Sequence, residues 1–212
     1  VIDSRVLVVA RRNMLPHLES RGGIVGRITG EDTVHLVSAT ATPLGGDTIE
    51  IRVVVEPGAT LCLRSVAATI ALPGRDTDTS HSRMAIEAHG DLDVDLQPTV
   101  VAATAMHHAD VEVALGETGT IRLRERVQVG RTGERQGFWS GGLRVDASGP
   151  VLRHRVQIGA GSVTDDALAS PRASVSELHY PGAPAHPDPR ATVLELAAGG
   201  VLTTWQGDVL PG

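Results

Sequence analysis

The chain has 212 residues, 41% hydrophobic and only 2% aromatic, with a net charge of −6. That length allows a sizeable core without metal or disulfide staples, and Val, Leu, Ile and Ala must fill it, because Phe138, Trp139, Tyr180 and Trp205 are all the aromatics there are. The acidic balance and the lack of stacking platforms argue against nucleic acid as a partner. No apolar run approaches the ~20 residues of a spanning helix, and the N-terminus lacks the order of a signal peptide, so the expectation is a cytoplasmic protein without a membrane role. Cys62 is alone, which leaves neither a disulfide framework nor a cysteine metal knot.

Taken in chain order, the dominant signal is strict alternation. Ile49, Ile51, Val53 and Val55 fall on one side of the run 48–56, with Glu50, Arg52 and Glu56 on the other. Residues 75–83 carry no apolar anchor and are expected to form a polar loop. Leu92, Val94 and Leu96 then alternate with Asp91, Asp93 and Asp95, and Val111, Val113 and Leu115 continue the pattern. The longest run sets Ile121, Leu123, Val127 and Val129 against Arg122, Arg124, Arg126 and Gln128; Leu152, His154, Val156 and Ile158 follow, against Arg153 and Arg155. A period of two places one apolar face on each strand, whereas helical spacing would scatter these residues around a cylinder. Gly45-Gly46-Asp47, Pro57-Gly58, Pro73-Gly74, Gly116, Gly130 and Gly141-Gly142 punctuate the runs at the spacing of consecutive antiparallel strands in an all-β domain. One short helix is expected over 162–169. Residues 181–189 hold four prolines and form an extended connector to a last β segment, Thr192 to Trp205.

Candidate chemistry is sparse. His107 and His108 are adjacent, so in a strand their rings point to opposite faces and cannot chelate one ion from regular geometry; a structural or solvent-exposed role is expected for the pair, with metal contact as the alternative. His154 falls on an inward position, where a core histidine is expected, while His179 and His186 are expected at the surface. Trp139-Ser140-Gly141-Gly142 lacks the first glycine of a nucleophile elbow. Cys62 has Arg64 as its same-side neighbour and is expected to be a buried small residue. The row Asp91, Asp93, Asp95 fits a solvated strand face, with a transient cation site as the sharper alternative. In Gly45-Gly46-Asp47, two glycines permit a tight reversal that the aspartate can cap.

The string Ser38-Ala39 … Pro43-Leu44-Gly45-Gly46-Asp47, then the Val-rich strand 49–55, Pro57-Gly58-Ala59 and Val66-Ala67-Ala68-Thr69, resembles the urease accessory protein UreD (UreH) family. Leu96-Gln97-Pro98 and Gly130-Arg131 … Phe138 … Gly141 extend the resemblance in the same order, to about residue 160. Three positions depart from the family pattern: Val66, Ile70 and Gln136, with Glu134 two positions before the last. The resemblance implies a single elongated domain over 1–212, multi-stranded and β-helical or layered, with one or two short helices. It also implies a non-enzymatic scaffold for metallocentre assembly. Such a scaffold binds UreF, through it UreG, and apo-urease, and nickel passes through it in transit without a tightly bound cofactor. Asp47 matches the family's turn aspartate near the proposed nickel passage, Glu134 and Arg131 are further candidates for that passage, and Gly45 and Gly46 form the structural turn. The apolar stretch Leu61 to Leu72 is expected to include an interface. A generic β-rich binding module without a metal role is the alternative.

Overall fold

The computed structural model describes residues 1–163, 171–186 and 188–211. In chain order the strands are β1 (Asp3–Ala10), β2 (His17–Arg21), β3 (Ile24–Ile28), β4 (Thr33–Ser38), β5 (Thr48–Val55) and β6 (Thr60–Ser65). Then come β7 (Thr69–Ala71), β8 (Thr79–Ala88), β9 (Asp91–Asp95), β10 (Thr99–Val101), β11 (Met106–Leu115) and β12 (Thr120–Val129). The chain finishes with β13 (Phe138–Asp146), β14 (Pro150–Gly159), β15 (Ala173–Tyr180), β16 (Thr192–Glu195) and β17 (Val201–Gly207). The all-β class and the elongated, many-stranded architecture are as expected, and no helix occurs among the described residues. The short helix expected over 162–169 lies, from residue 164 onward, outside the described residues.

The connectivity differs from consecutive antiparallel pairing. The turn at Pro57-Gly58 carries the chain out of one sheet and into the facing one, and the turns at His89-Gly90 and 116–119 do the same. Strands β1, β5, β8, β11 and β13 therefore stack in parallel as one wall, and β4, β6, β9 and β12 stack in parallel as the other. The molecule is a set of stacked coils. Antiparallel strands close both walls: β2 and β14 flank the first, and β3, β15, β17 and β16 flank the second. Alternation cannot separate the two connectivities, because a strand facing an opposite wall and a strand in a hairpin both present one apolar face.

Register turns the alternation into a core. Val53, Ile86 and Val113 lie in successive coils of the first wall, and Leu61, Leu92 and Ile121 in the second, all at or near zero exposure. The expected interface across 61–72 is thus divided: Leu61 and Leu63 are core residues, while Val66 and Ile70 stand 63% and 46% exposed. The polar loop expected over 75–83 is also shorter than that. Strand β8 starts at Thr79, and Ser80 and Ser82 continue the inward positions of Met84, Ile86 and Ala88. Serine, which carries little apolar surface, hid that continuation from a hydrophobic pattern.

Buried apolar residues form two clusters along the coils. The larger includes Leu61, Leu63, Ile86, Leu92, Val113, Leu123 and Leu143, and the smaller holds Ala71, Val101, Val127, Val129, Trp139, Val156 and Ile158. The boundary crosses β11, β12 and β13 at a small or polar inward residue: Ala109 between Val111 and His107, Glu125 between Leu123 and Val127, and Gly141 between Leu143 and Trp139.

Candidate functional site

The sequence-predicted residues sit at one end of the coils, in the crossovers that lead into the first wall. Asp47 lies between β4 and β5, and Arg131 and Glu134 lie between β12 and β13. Three strand spacings, roughly 14 Å, separate those crossovers along the wall, so the fold shares them out along an edge and does not gather them at one point. Asp47 is 1% exposed, and both its oxygens are engaged: Oδ1 accepts the Ile2 amide at 2.6 Å, and Oδ2 accepts the Thr42 hydroxyl and the Leu44 amide at 2.9 Å each. Burial works to raise its carboxyl, but the Leu44 and Ile2 amides and the Thr42 hydroxyl outweigh it and hold it below the ordinary range. The glycines before it are demanded by space and by backbone: a Cβ on Gly45 would collide with the Thr77 carbonyl, and Gly46 has φ +95°.

Glu134 caps its own crossover. It accepts the Ala103 amide at 2.8 Å and the Arg131 amide and guanidinium at 3.0–3.1 Å. Arg131, followed by those two amides, holds its carboxyl down at about 2.

The feature missed in the sequence is a cavity of about 380 Å³ between the two walls, at the boundary of the apolar clusters. Its lining runs from buried Leu123, Val94 and His107 to exposed Val66, Ala67 and Gln97, where sheet pairing lapses between β6 and β7 and between β9 and β10. Glu125 lines it from β12 and has no hydrogen bond or ion pair among the described residues. Burial, and then the charge of Asp110, push its carboxyl up to about 7. Across the cavity, His107 is 3% exposed, with Nδ1 2.9 Å from the Ser80 hydroxyl and Nε2 3.1 Å from the Ser82 hydroxyl. Burial, and then the neighbouring histidines, lower its pKa to about 4, so the ring is neutral near pH 7. Its nitrogens meet two serines and no carboxylate, so nothing there stabilises the imidazolium a triad requires. A signal for Glu125 did exist: it is the one acid on an inward position of the most regular strand.

The outer faces are polar for a different reason. Asp93 accepts from Arg64 at 2.9 Å and Arg122 at 3.1 Å, Asp95 from Arg126 at 2.8 Å, and Glu177 from Arg122 at 2.9 Å. Asp93 and Asp95 are therefore committed to an arginine lattice across β6, β9, β12 and β15, while exposed Asp91 accepts the Thr120 hydroxyl at 2.8 Å, which favours the strand-face reading over a cation site. His179 joins the lattice through Glu177 at 2.7 Å and is half-buried, not free at the surface. Cys62 is half-buried beside Arg64, and burial followed by Asp32 raises its thiol, which keeps it protonated. His154 points inward as expected, but its buried Nε2 has no hydrogen-bond partner among the described residues. His107 and His108 do face opposite sides: His108 stacks on His81 on the outer surface, with ring centroids 5.2 Å apart. Among the described residues no helix is long and apolar enough to cross a membrane, and no group of three or more His, Cys, Asp or Glu is arranged to hold a metal ion.

Comparison with known proteins places this architecture. A sequence model of the family described as UreD urease accessory protein matches residues 26–204, from β3 into β17. The chain belongs to the UreD urease accessory protein family. It is 37% identical over 212 residues to urease accessory protein UreD 1 of Saccharopolyspora erythraea, covering 95% of this chain and 83% of that protein. It is 45% identical over 119 residues to the UreD of Frankia alni and 43% over 116 residues to that of Frankia casuarinae, matches that span 40% and 36% of those proteins. The family match covers the coils that enclose the cavity and both crossovers that hold the predicted residues.

Proposed function

We propose that this chain is a non-catalytic scaffold of urease maturation that conducts nickel towards apo-urease while bound to UreF and UreG. The observation that carries the nickel part of this reading is the cavity between the walls, reached through exposed Val66, Ala67 and Gln97 and lined inside by the Glu125 carboxyl and the Ser82 hydroxyl. A hydrated Ni²⁺ ion needs oxygen-rich surroundings that do not capture it, since a transit route requires weak, exchangeable contacts. The lining also holds Asp110 and three arginines, Arg83, Arg124 and Arg126, but Asp110 is engaged by Arg155 at 3.3 Å. Glu125 is thus the unpaired carboxyl there among the described residues, and a single such group meets the transit requirement better than a cage of ligands. Asp47 and Glu134 support the route by fixing the crossovers at the end of the coils, and the family membership supports the urease context.

The test is to close the cavity without touching a charge. Ala109→Leu projects a larger side chain from a lining position on β11, the wall facing the strand that carries Glu125. Co-purification with UreF and UreG is expected to persist, with nickel loading of urease reduced, because the added side chain narrows the cavity. Full nickel loading by a variant shown to be folded and partner-bound would exclude the cavity as the route. Failure of the unaltered chain to associate with UreF or UreG would remove the scaffold reading itself.

A further inference from the structure

The outer surface of the first wall holds a pair of histidines that the cavity does not use. His81 on β8 and His108 on β11 are register partners on neighbouring parallel strands, so their Cα atoms are one strand spacing apart and their side chains leave the same face. The rings lie 5.2 Å apart and 17° from parallel, and Phe138 flanks His108 at 5.9 Å. His81 is exposed and His108 half-exposed, and neither ring makes a hydrogen bond or ion pair among the described residues. That sets them apart from His107, whose nitrogens are both occupied by serines, and from His179, which is held by Glu177.

We infer that His81 and His108 form a surface site for a divalent cation that favours imidazole, such as Ni²⁺ or Zn²⁺, bound by one nitrogen from each ring. Metal–imidazole bonds run about 2.0–2.1 Å, so two nitrogens on one ion stand roughly 3 Å apart. Side chains rooted one strand spacing apart reach that separation by small χ rotations that tilt the stacked rings together, with no movement of the backbone. Water completes the coordination, and a two-ligand site of this kind releases its ion readily. Selectivity follows ligand type: imidazole suits Ni²⁺, Zn²⁺ and Cu²⁺ and discriminates against Mg²⁺ and Ca²⁺, which take oxygen. The site lies on the outside of the two strands whose inner face carries Ser80, Ser82 and His107, so a bound ion sits one sheet thickness from the cavity. This pair lies outside the cavity, so its binding of an ion does not depend on whether the cavity conducts nickel.

The experiment is titration of the folded chain with nickel chloride, followed calorimetrically and by paramagnetic broadening of the histidine ring resonances. The expected result is one binding event that broadens the His81 and His108 signals first and weakens about tenfold or more in either His81→Ala or His108→Ala. Both are surface changes with little expected cost to folding. His186→Ala, remote in sequence and exposed, should leave the event unchanged. Equal affinity in the unaltered chain and the His81→Ala/His108→Ala double variant would overturn the assignment, as would broadening confined to other histidines. Magnesium chloride in place of nickel should give no such event, and an equal response to Mg²⁺ would equally overturn it.

Discussion

Glu125→Gln is expected to stabilise the fold by about 1–3 kcal/mol at pH 8, the lower end reflecting the half-buried carboxyl's access to solvent through the cavity, and to leave it unchanged at pH 4. The physical reason is the position of the carboxyl. It projects from an inward register position of β12 into the cavity, without a partner among the described residues, and burial followed by the charge of Asp110 raises it from its ordinary 4.5 to about 7. A folded state that binds this proton more tightly than the unfolded chain gains stability below the unfolded value and loses it as pH rises. The loss therefore accumulates from pH 4.5 upward and levels off above about 7. Glutamine keeps the shape and never ionises, so the variant lacks that slope. Denaturant unfolding of both proteins from pH 4 to pH 8 measures the difference directly. Parallel stability curves across that range would show that Glu125 is solvated or paired in solution.

The second large effect runs in the opposite direction. Asp47→Ala is expected to cost about 3 kcal/mol and to lower the melting temperature by roughly 10 °C. The substitution leaves the Ile2 and Leu44 amides and the Thr42 hydroxyl without their acceptor at a site 1% exposed. Because those donors hold the carboxyl below its ordinary 3.8, its contribution is complete above that pH and is lost as pH falls through the lowered value. Asp47→Asn retains one acceptor oxygen and should lose about half as much. A melting temperature within a degree or two of the unaltered protein would refute the structural role. Any fall in urease activation by Asp47→Ala is interpretable only beside that measurement, since a lost crossover and a lost nickel contact both reduce it.

A good part of the molecule was legible without coordinates. Val, Ile and Leu at a period of two in 49–55, 92–96, 111–115 and 121–129 dictate strands with one apolar face, because only an extended chain puts alternate residues on the same side. The same alternation sent His107 and His108 to opposite faces. Gly45-Gly46-Asp47 declared a capped turn, because glycine alone tolerates both the close approach to Thr77 and the positive φ that follow there. The ordered landmarks from Leu44 to Gly141 carried the family.

Tertiary structure decided the rest. Whether the turn at Pro57-Gly58 joins neighbours within a sheet or carries the chain to the opposite wall depends on which partner strands arrive later, and neither outcome changes the local pattern. Ser80 and Ser82 could be placed on an inward face only once His107, on the next coil, was seen to satisfy their hydroxyls. Asp93 and Asp95 face arginines because β6, β12 and β15 are brought alongside from distant parts of the chain. Glu125 breaks an apolar series that is visible in the sequence, but its consequence depends on a cavity between two cores. A volume of that kind is fixed by how two walls pack, and no single strand encodes it.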